Sequence, residues 1–350
     1  MRCSIAAILA RDNRNISRVR CYSDRMTGEL VPAPSDTALA RWQELEEAVR
    51  AYARASKAPN TVRAYRSDLG DFTAWCTSHG LVPIPATPET VALYITALAG
   101  IGAKPSTIQR RLSALSQAHQ LSGHEPSPTQ SPIVRTTMAG IRRTLGVAPA
   151  QKAAVVTAEL RTLLAVTPAD TLAGLRDRAL LLVGFAGGFR RGELVALDVE
   201  DVEETDDGLR LRIRRSKTDQ EGEGREVGIP RGQKPETDPV RALRAWRAVA
   251  GIDGGPLFRP VNRHDTVQDR RLTAEGVAMV VKRAAARAGL DPARYAGHSL
   301  RSGLATAAAA GGAPERAIMR QTGHRSVEMV RRYIRAGSLF QENAAAYVGL

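Results

Sequence analysis

Residues 297–333 read GHSLRSGLATAAAAGGAPERAIMRQTGHRSVEMVRRY, and this one stretch carries His298, Arg301, His324 and Tyr333. Leu300, Leu304 and the alanines through Ala310 predict a small-residue helix, because alanine favours the helical backbone and lets neighbours approach closely. Gly311 and Gly312 stop it. Pro314 fits the first turn of a second helix running to Gln321, and Gly323 ends that one. Ser326 is placed to cap a third helix, in which Val327, Val330, Tyr333 and Ile334 recur at helical spacing. His298 and Arg301 stand three apart and share a helix face, His324 lies at a turn between helices, and Tyr333 follows nine residues later. Arg301 to Arg335 holds seven Arg against two acidic residues, a local charge of +5. An anion is the partner such a segment suits, and all four residues are of types that act on a phosphate.

The runs GHSLRSG at 297–303, GHRS at 323–326 and RRYIR at 331–335 resemble the C-terminal signature of the tyrosine recombinases, the phage-integrase and Cre family. That resemblance directs attention upstream, to an arginine in a GLR-x-x-EL context and a lysine on a β-turn. Gly188-Phe189-Arg190-Arg191-Gly192-Glu193-Leu194 supplies Arg190, with Phe189 where the family more often has Leu. Ser216-Lys217-Thr218-Asp219 supplies Lys217. Each residue alone has an ordinary explanation: a core tyrosine, a turn lysine, a structural histidine, an arginine in a basic chain. Their joint occurrence in family order carries the reading.

In-line attack on a phosphodiester builds a second negative charge on the non-bridging oxygens, and stabilising it is the main catalytic task. Arg190 and Arg301 suit that task, since a guanidinium stays charged and offers a planar fork to two oxygens. His324 would add a hydrogen bond. Tyr333 is the expected nucleophile; a phenol with a pKa of about 10 needs a proton acceptor or a cationic surround. By resemblance, His298 serves as base or orients the phosphate, and Lys217 is the general acid that protonates the leaving 5′ oxygen. Glu193, three residues after Arg190, is a candidate to orient Lys217 or a histidine.

The resemblance implies strand cleavage and rejoining through a 3′-phosphotyrosyl intermediate and a Holliday junction, with no ATP, metal or other cofactor. It further implies a homotetramer on double-stranded DNA, linked by an exchanged C-terminal tail. Asp198, Glu200, Asp201, Glu203 and Glu204 read as a solvated edge rather than a magnesium site. Two competing functions share the fold: a non-catalytic sequence-specific DNA-binding protein and a type IB topoisomerase-like relaxing enzyme.

The remainder of the chain agrees with a nucleic-acid partner. At 350 residues and 43% hydrophobic content it can build two ordinary domains, and a formal charge of +14 with pI near 10.4 calls for a polyanion. Cys3, Cys21 and Cys76 form no disulfide or zinc pattern, which points to a reducing cytosol, and the apolar run Ile5 to Ala10 is too short for a secretory signal. Residues 1–38 read as a mobile arm, with Met26 an alternative start.

Residues 39–145 read as a helical domain. Leu45, Val49 and Tyr52 mark its first helix; Thr61 begins a second through Phe72 and Trp75; Thr87 to Leu98 forms a third, Lys104 to His119 a fourth and Thr137 to Leu145 the last. PNTVRAYRSDLGDFTAWC and KPSTIQRRLSAL in this region resemble the family's core-binding, SAM-like domain. Between residues 104 and 152 seven basic residues face one acid. Lys57, Thr61, Arg63, Thr107, Arg110 and Arg111, near the starts of two helices, are the expected DNA contacts.

Residues 146–154 read as a linker. Residues 155–350 form the expected catalytic domain, mainly helical, with a small antiparallel sheet built on Leu209-Leu211-Ile213 and Val227-Ile229. The whole is expected to be mainly α and to close on DNA as a C-shaped clamp.

Overall fold

The computed structural model describes residues 36–147, 152–216, 219 and 222–337. The arm read at 1–38 lies outside the described residues up to position 35, and Asp36 already opens the first helix. The chain divides into two compact units, Met1–Pro149 and Ala150–Leu350.

The first unit is built from helices α1 (Asp36–Ala55), α2 (Pro59–Ser78), α3 (Pro88–Gly100), α4 (Pro105–Leu121) and α5 (Pro132–Leu145). Four of them open on proline, which loses nothing at a position whose N–H has no helical acceptor. α2 therefore starts at Pro59, ahead of the expected Thr61, and α5 starts at Pro132, ahead of Thr137. Phe72, Val91, Ile95, Ile108 and Leu115 recur at helical spacing and meet in the core with no exposed surface. His119 is buried with them: its Nε2 accepts from the Ala86 N–H at 3.0 Å and its Nδ1–H donates to the Leu115 carbonyl at 2.8 Å, the satisfied arrangement of a structural histidine. The periodic residues of α1 do not join this core. Trp42, Leu45, Val49 and Tyr52 are all more than half exposed.

The second unit continues with α6 (Thr157–Ala165), α7 (Leu172–Ala186), α8 (Arg191–Ala196), strands β1 (Val202–Thr205), β2 (Gly208–Ile213) and β3 (Arg225–Pro230), then α9 (Pro239–Ala250), α10 (Ala274–Arg287), α11 (His298–Ala310), α12 (Glu315–Thr322) and α13 (Val327–Gly337). α7 is the apolar centre, with Ala179 to Val183 buried. It packs against α9, whose Trp246 is wholly enclosed and donates its indole N–H to the Leu257 carbonyl at 2.9 Å.

The sheet is antiparallel in the order β1-β2-β3, with Leu211 opposite Val202 and Val227, and Leu209 opposite Ile229. The alternation that marks β2 and β3 is that of a half-buried sheet. β1 carries none of it, since Val-Glu-Glu-Thr at the sheet edge presents its acids outward, so it escaped the sequence reading.

The acidic run around β1 is exposed at Glu200, Glu203 and Glu204, as a solvated edge should be, but Asp201 is buried and Asp198 half-buried, and the run is paired with arginines. Asp198 meets Arg271 and Arg214, Asp201 is buried and accepts from Arg214 Nε at 2.7 Å, and Glu200 accepts from the Gly255 N–H at 3.0 Å. Glu203 pairs with Arg210, and Glu204 with Arg231 and Arg244. Arg210 and Arg214 are near neighbours in sequence, whereas Arg231, Arg244 and Arg271 come from farther along the chain.

The segment read as a linker is likewise corrected in its second half. Residues 148–151 lie outside the described residues, but Lys152 Nζ donates to the Ala293 carbonyl at 2.6 Å and the Ala153 N–H to that of Arg294 at 2.7 Å. The Val155 N–H donates to the Ser299 carbonyl at 2.9 Å, and the Val155 side chain is buried. This strap lies against α11 at Gly303, where a Cβ would sit 1.9 Å from the Val155 carbonyl oxygen. Gly303→Ala is expected to destabilise the second unit by about 3 kcal/mol, because backbone cannot yield as a side-chain tip can. Thermal melting followed by circular dichroism checks it, and an unchanged midpoint would show that the strap yields.

Candidate active site

Small residues bring the C-terminal helices together. Ala305 and Ala309 of α11, Ile318 of α12 and Val330 of α13 form a compact cluster, and half-buried Tyr333 packs at its edge. α12 ends at Gly323, whose left-handed φ of 64° turns the chain so that His324 faces back toward α11. A Cβ at Gly323 would also come within 2.8 Å of Arg225 Nε.

Arg301 has no exposed surface. Its Nη1 donates to the Gly188 carbonyl at 2.8 Å and to the Thr322 carbonyl, while Nε and Nη2 are buried without a hydrogen-bond partner. His324, 6% exposed, has its Nδ1 at 2.7 Å from Thr322 Oγ1, and its Nε2 is also buried without a partner. The Tyr333 hydroxyl lies 3.3 Å from His298 Nε2, and the Tyr333 and His324 rings stand 5.7 Å apart. Four of the expected residues are thereby brought together.

Arg190 joins them as the residue that opens α8. Its Nη1 pairs with Glu193 Oε1 at 2.6 Å, its backbone N–H donates to Glu193 Oε2 at 3.0 Å, and its Nη2 reaches the Gly323 carbonyl at 3.5 Å. Glu193 is almost fully buried. It orients Arg190 and Arg225, not a histidine, because its place in the first turn of α8 points its carboxylate at the helix start. Lys217 lies outside the described residues; Ser216 and Asp219 on either side exchange both backbone hydrogen bonds, at 3.3 and 3.2 Å.

Sequence reasoning passed over Arg225 and Thr322. Arg225 Nη1 donates to the Gln321 carbonyl at 3.1 Å and its Nη2 reaches Glu193 at 3.5 Å, yet in sequence it is one more arginine at the start of a strand. Thr322 precedes the Gly-His pair and offers no signal of its own.

Burial and crowded guanidiniums together set the electrostatics. Burial, then the charge of Arg190, lowers the Arg301 pKa to about 10, which leaves it protonated at neutral pH. Burial of its ring, followed by Arg301 and Arg190, pushes His324 down to about 3, and the same causes lower His298. Both histidines are neutral at pH 7.

Of the residues expected to touch DNA in the first unit, two have intramolecular work. Arg110 pairs with buried Asp68, and Arg111 donates to Asp71 at 2.8 Å and to the Tyr94 hydroxyl. The acids come from α2, some forty residues upstream, so the local excess of basic residues overstates the charge offered to a partner. Lys57 lies 6.0 Å from the Tyr65 ring centroid, exposed Arg63 reaches only its neighbour Asn60, and Thr61 and Thr107 are partly exposed in the first turns of α2 and α4.

Residues 155–338 match the phage integrase family, and residues 49–125 match the phage integrase N-terminal SAM-like domain. The chain is 42% identical over 291 residues to the integrase/recombinase xerD homolog of Selenomonas ruminantium, across 83% of this chain and 85% of that protein. It is 29% identical to the tyrosine recombinase XerD of Xanthomonas axonopodis pv. citri over 81% of this chain and 89% of that one. In fold it resembles a lambda integrase dimer bound to a COC' core site, with a TM-score of 0.57 at 18% identity over 83% of this chain and 93% of that one. A Tn1549 transposon integrase in complex with transposon right end DNA gives the same TM-score at 15% identity over 85% and 98% of the two chains.

The lowered histidine makes the site acid-sensitive. An unfolded His324 takes up a proton near pH 6.5 and the folded one resists until about 3, so between those values the unfolded chain binds more protons and stability falls as pH falls. The contribution is complete above pH 6.5. Urea unfolding at pH 7 and pH 5 should show His324→Gln losing less stability than the parent, whereas equal losses would mean that the ring accepts protons in the folded state.

Proposed function

Because the chain belongs to the phage integrase family, we propose that it is a site-specific recombinase that cuts and rejoins DNA strands through Tyr333. One observation carries the assignment: Arg301 Nε and Nη2 and His324 Nε2 are buried without partners beside a tyrosine hydroxyl 3.3 Å from a neutral imidazole. Buried polar nitrogens without partners are costly unless a ligand completes them. A phosphodiester beside a nucleophile does so.

His298 Nε2 accepts the Tyr333 proton, and the phenolate oxygen attacks phosphorus in line. The Nε–Nη2 edge of Arg301 matches two phosphate oxygens, Arg190 adds a second guanidinium, and His324 donates a further hydrogen bond, so the charge built in the transition state meets donors already in place. The phosphorus–5′ oxygen bond breaks as Lys217 donates a proton to the leaving oxygen. The 3′-phosphotyrosyl ester keeps the bond energy, and a 5′-hydroxyl of a second strand reverses the step, returning the proton to Tyr333. Neither ATP nor a metal enters this sequence.

The substrate is double-stranded DNA. Lys57, Thr61, Arg63 and Thr107 of the first unit are the proposed backbone contacts, with Arg110 and Arg111 shaping that surface through their carboxylate partners. Rejoining through a Holliday junction requires four active sites, so a homotetramer on DNA is the working form, and the tail at 338–350, outside the described residues, is the proposed exchange element. The protein acts in the cytoplasm, on the nucleoid.

A nicked duplex, selected by the protein from a random-sequence pool and presented in EDTA without ATP, tests the assignment on a denaturing gel. The parent should leave a covalent protein–DNA band and Tyr333→Phe none; a band from both would exclude Tyr333 as nucleophile. Trapping should also fail in acid as His298 becomes protonated, at a pH below the ordinary 6.5. His298→Gln should be slow at every pH and lack that limb; an unaltered limb would remove His298 as the proton acceptor.

A further inference from the structure

Thr322 is wholly buried at the end of α12, and two parts of it hold two different phosphate ligands. Its carbonyl accepts from Arg301 Nη1, and its hydroxyl lies 2.7 Å from His324 Nδ1 and 2.6 Å from the Ile318 carbonyl. That hydroxyl has one proton. If it goes to Ile318, Oγ1 must accept from His324 Nδ1–H, and a neutral ring then presents a bare acceptor at Nε2. If it goes to Nδ1, the ring carries its proton on Nε2, the nitrogen left without a partner in the pocket.

A phosphate oxygen requires a donor at Nε2. Gaining a second ring proton is disfavoured because the imidazole is buried and stands near Arg301 and Arg190. The Ile318 carbonyl gives up little, because a carbonyl four residues back in a helix is already placed to accept a backbone N–H.

We propose that Thr322 is a positioning residue that sets the tautomer of His324: with a phosphate in the pocket its hydroxyl proton turns from the Ile318 carbonyl to His324 Nδ1, and Nε2–H donates to the phosphate. The inference rests on the recombinase reading of the same site. It assigns to a residue outside the chemistry the choice of which ring nitrogen carries the proton.

Thr322→Val keeps the shape and the backbone carbonyl and removes only the hydroxyl, while Thr322→Ser restores it. On the nicked duplex, Thr322→Val should slow covalent trapping by about 10- to 100-fold, as loss of an outer hydrogen bond to a catalytic group does, with duplex affinity retained and Thr322→Ser near the parent rate. Equal rates for all three, or Val and Ser equally slow, would overturn the proposal. The ring is read directly by nitrogen NMR of the parent labelled with 15N-histidine and saturated with inorganic phosphate, the His324 signals being those lost in His324→Gln. A proton on Nε2 is the expected result, and a proton on Nδ1 alone overturns the proposal whatever the variants do. A parent that binds duplex yet never forms the covalent band would instead strike the recombinase reading, leaving the NMR result to judge Thr322.

Discussion

A guanidinium sealed from water governs how the second unit is put together. Moving an ionised group out of solvent is costly unless it is hydrogen-bonded, and Arg301 has no exposed surface. What holds it are the Gly188 and Thr322 carbonyls, just past the end of α7 and at the last residue of α12. Helix C-termini carry partial negative charge and carbonyls without helical partners, so both are favourable neighbours for a cation. α7, α11 and α12 must converge at one point for this to work. The alanines of α11 permit it, and so does Gly303 where the Val155 strap crosses. Because Nη1 is spent on two carbonyls, the opposite edge of the fork, Nε and Nη2, is left buried without a partner.

Around that edge positive charge outweighs negative. Arg190 and Arg225 share the carboxylate of Glu193, and among the described residues Arg301 has no carboxylate of its own. The imbalance favours an anion. Burial of the rings, with the same positive field added to it, keeps protons off His298 and His324. A neutral His298 is able to accept the tyrosine proton; a cationic one is not.

Elsewhere the same side-chain types are put to structural use. Arg110 and Arg111 tie α4 to Asp68 and Asp71 of α2, and the acids around β1 are matched to arginines from β2, the segments just after β2 and β3, α9 and the segment before α10. Pairs of this kind contribute modestly where solvent reaches them and more where one partner is buried, as Asp68 and Asp201 are. Their consequence for function is subtractive. A basic surface counted along the chain is larger than the one presented to a partner.

The sequence by itself determined most of the helices, the β2–β3 alternation and the set of candidate residue types, because periodicity and end signals act over a few residues and the motifs are contiguous runs. GHSLRSG, GHRS and RRYIR named four of the candidates, and GFRRGEL and SKTD supplied Arg190 and Lys217. Tertiary structure alone decided who pairs with whom. Glu193 serves Arg190 and Arg225 rather than a histidine, Arg225 enters the site from the start of a strand, and Thr322 reaches both Arg301 and His324. It also decided that the apolar stripe of α1 stays outside the first unit's core. The reason is physical: a helix or strand is chosen by local backbone and side-chain preferences, whereas a buried charge is oriented by carbonyls and carboxylates that come within 3 Å of it only after segments a hundred residues apart have packed.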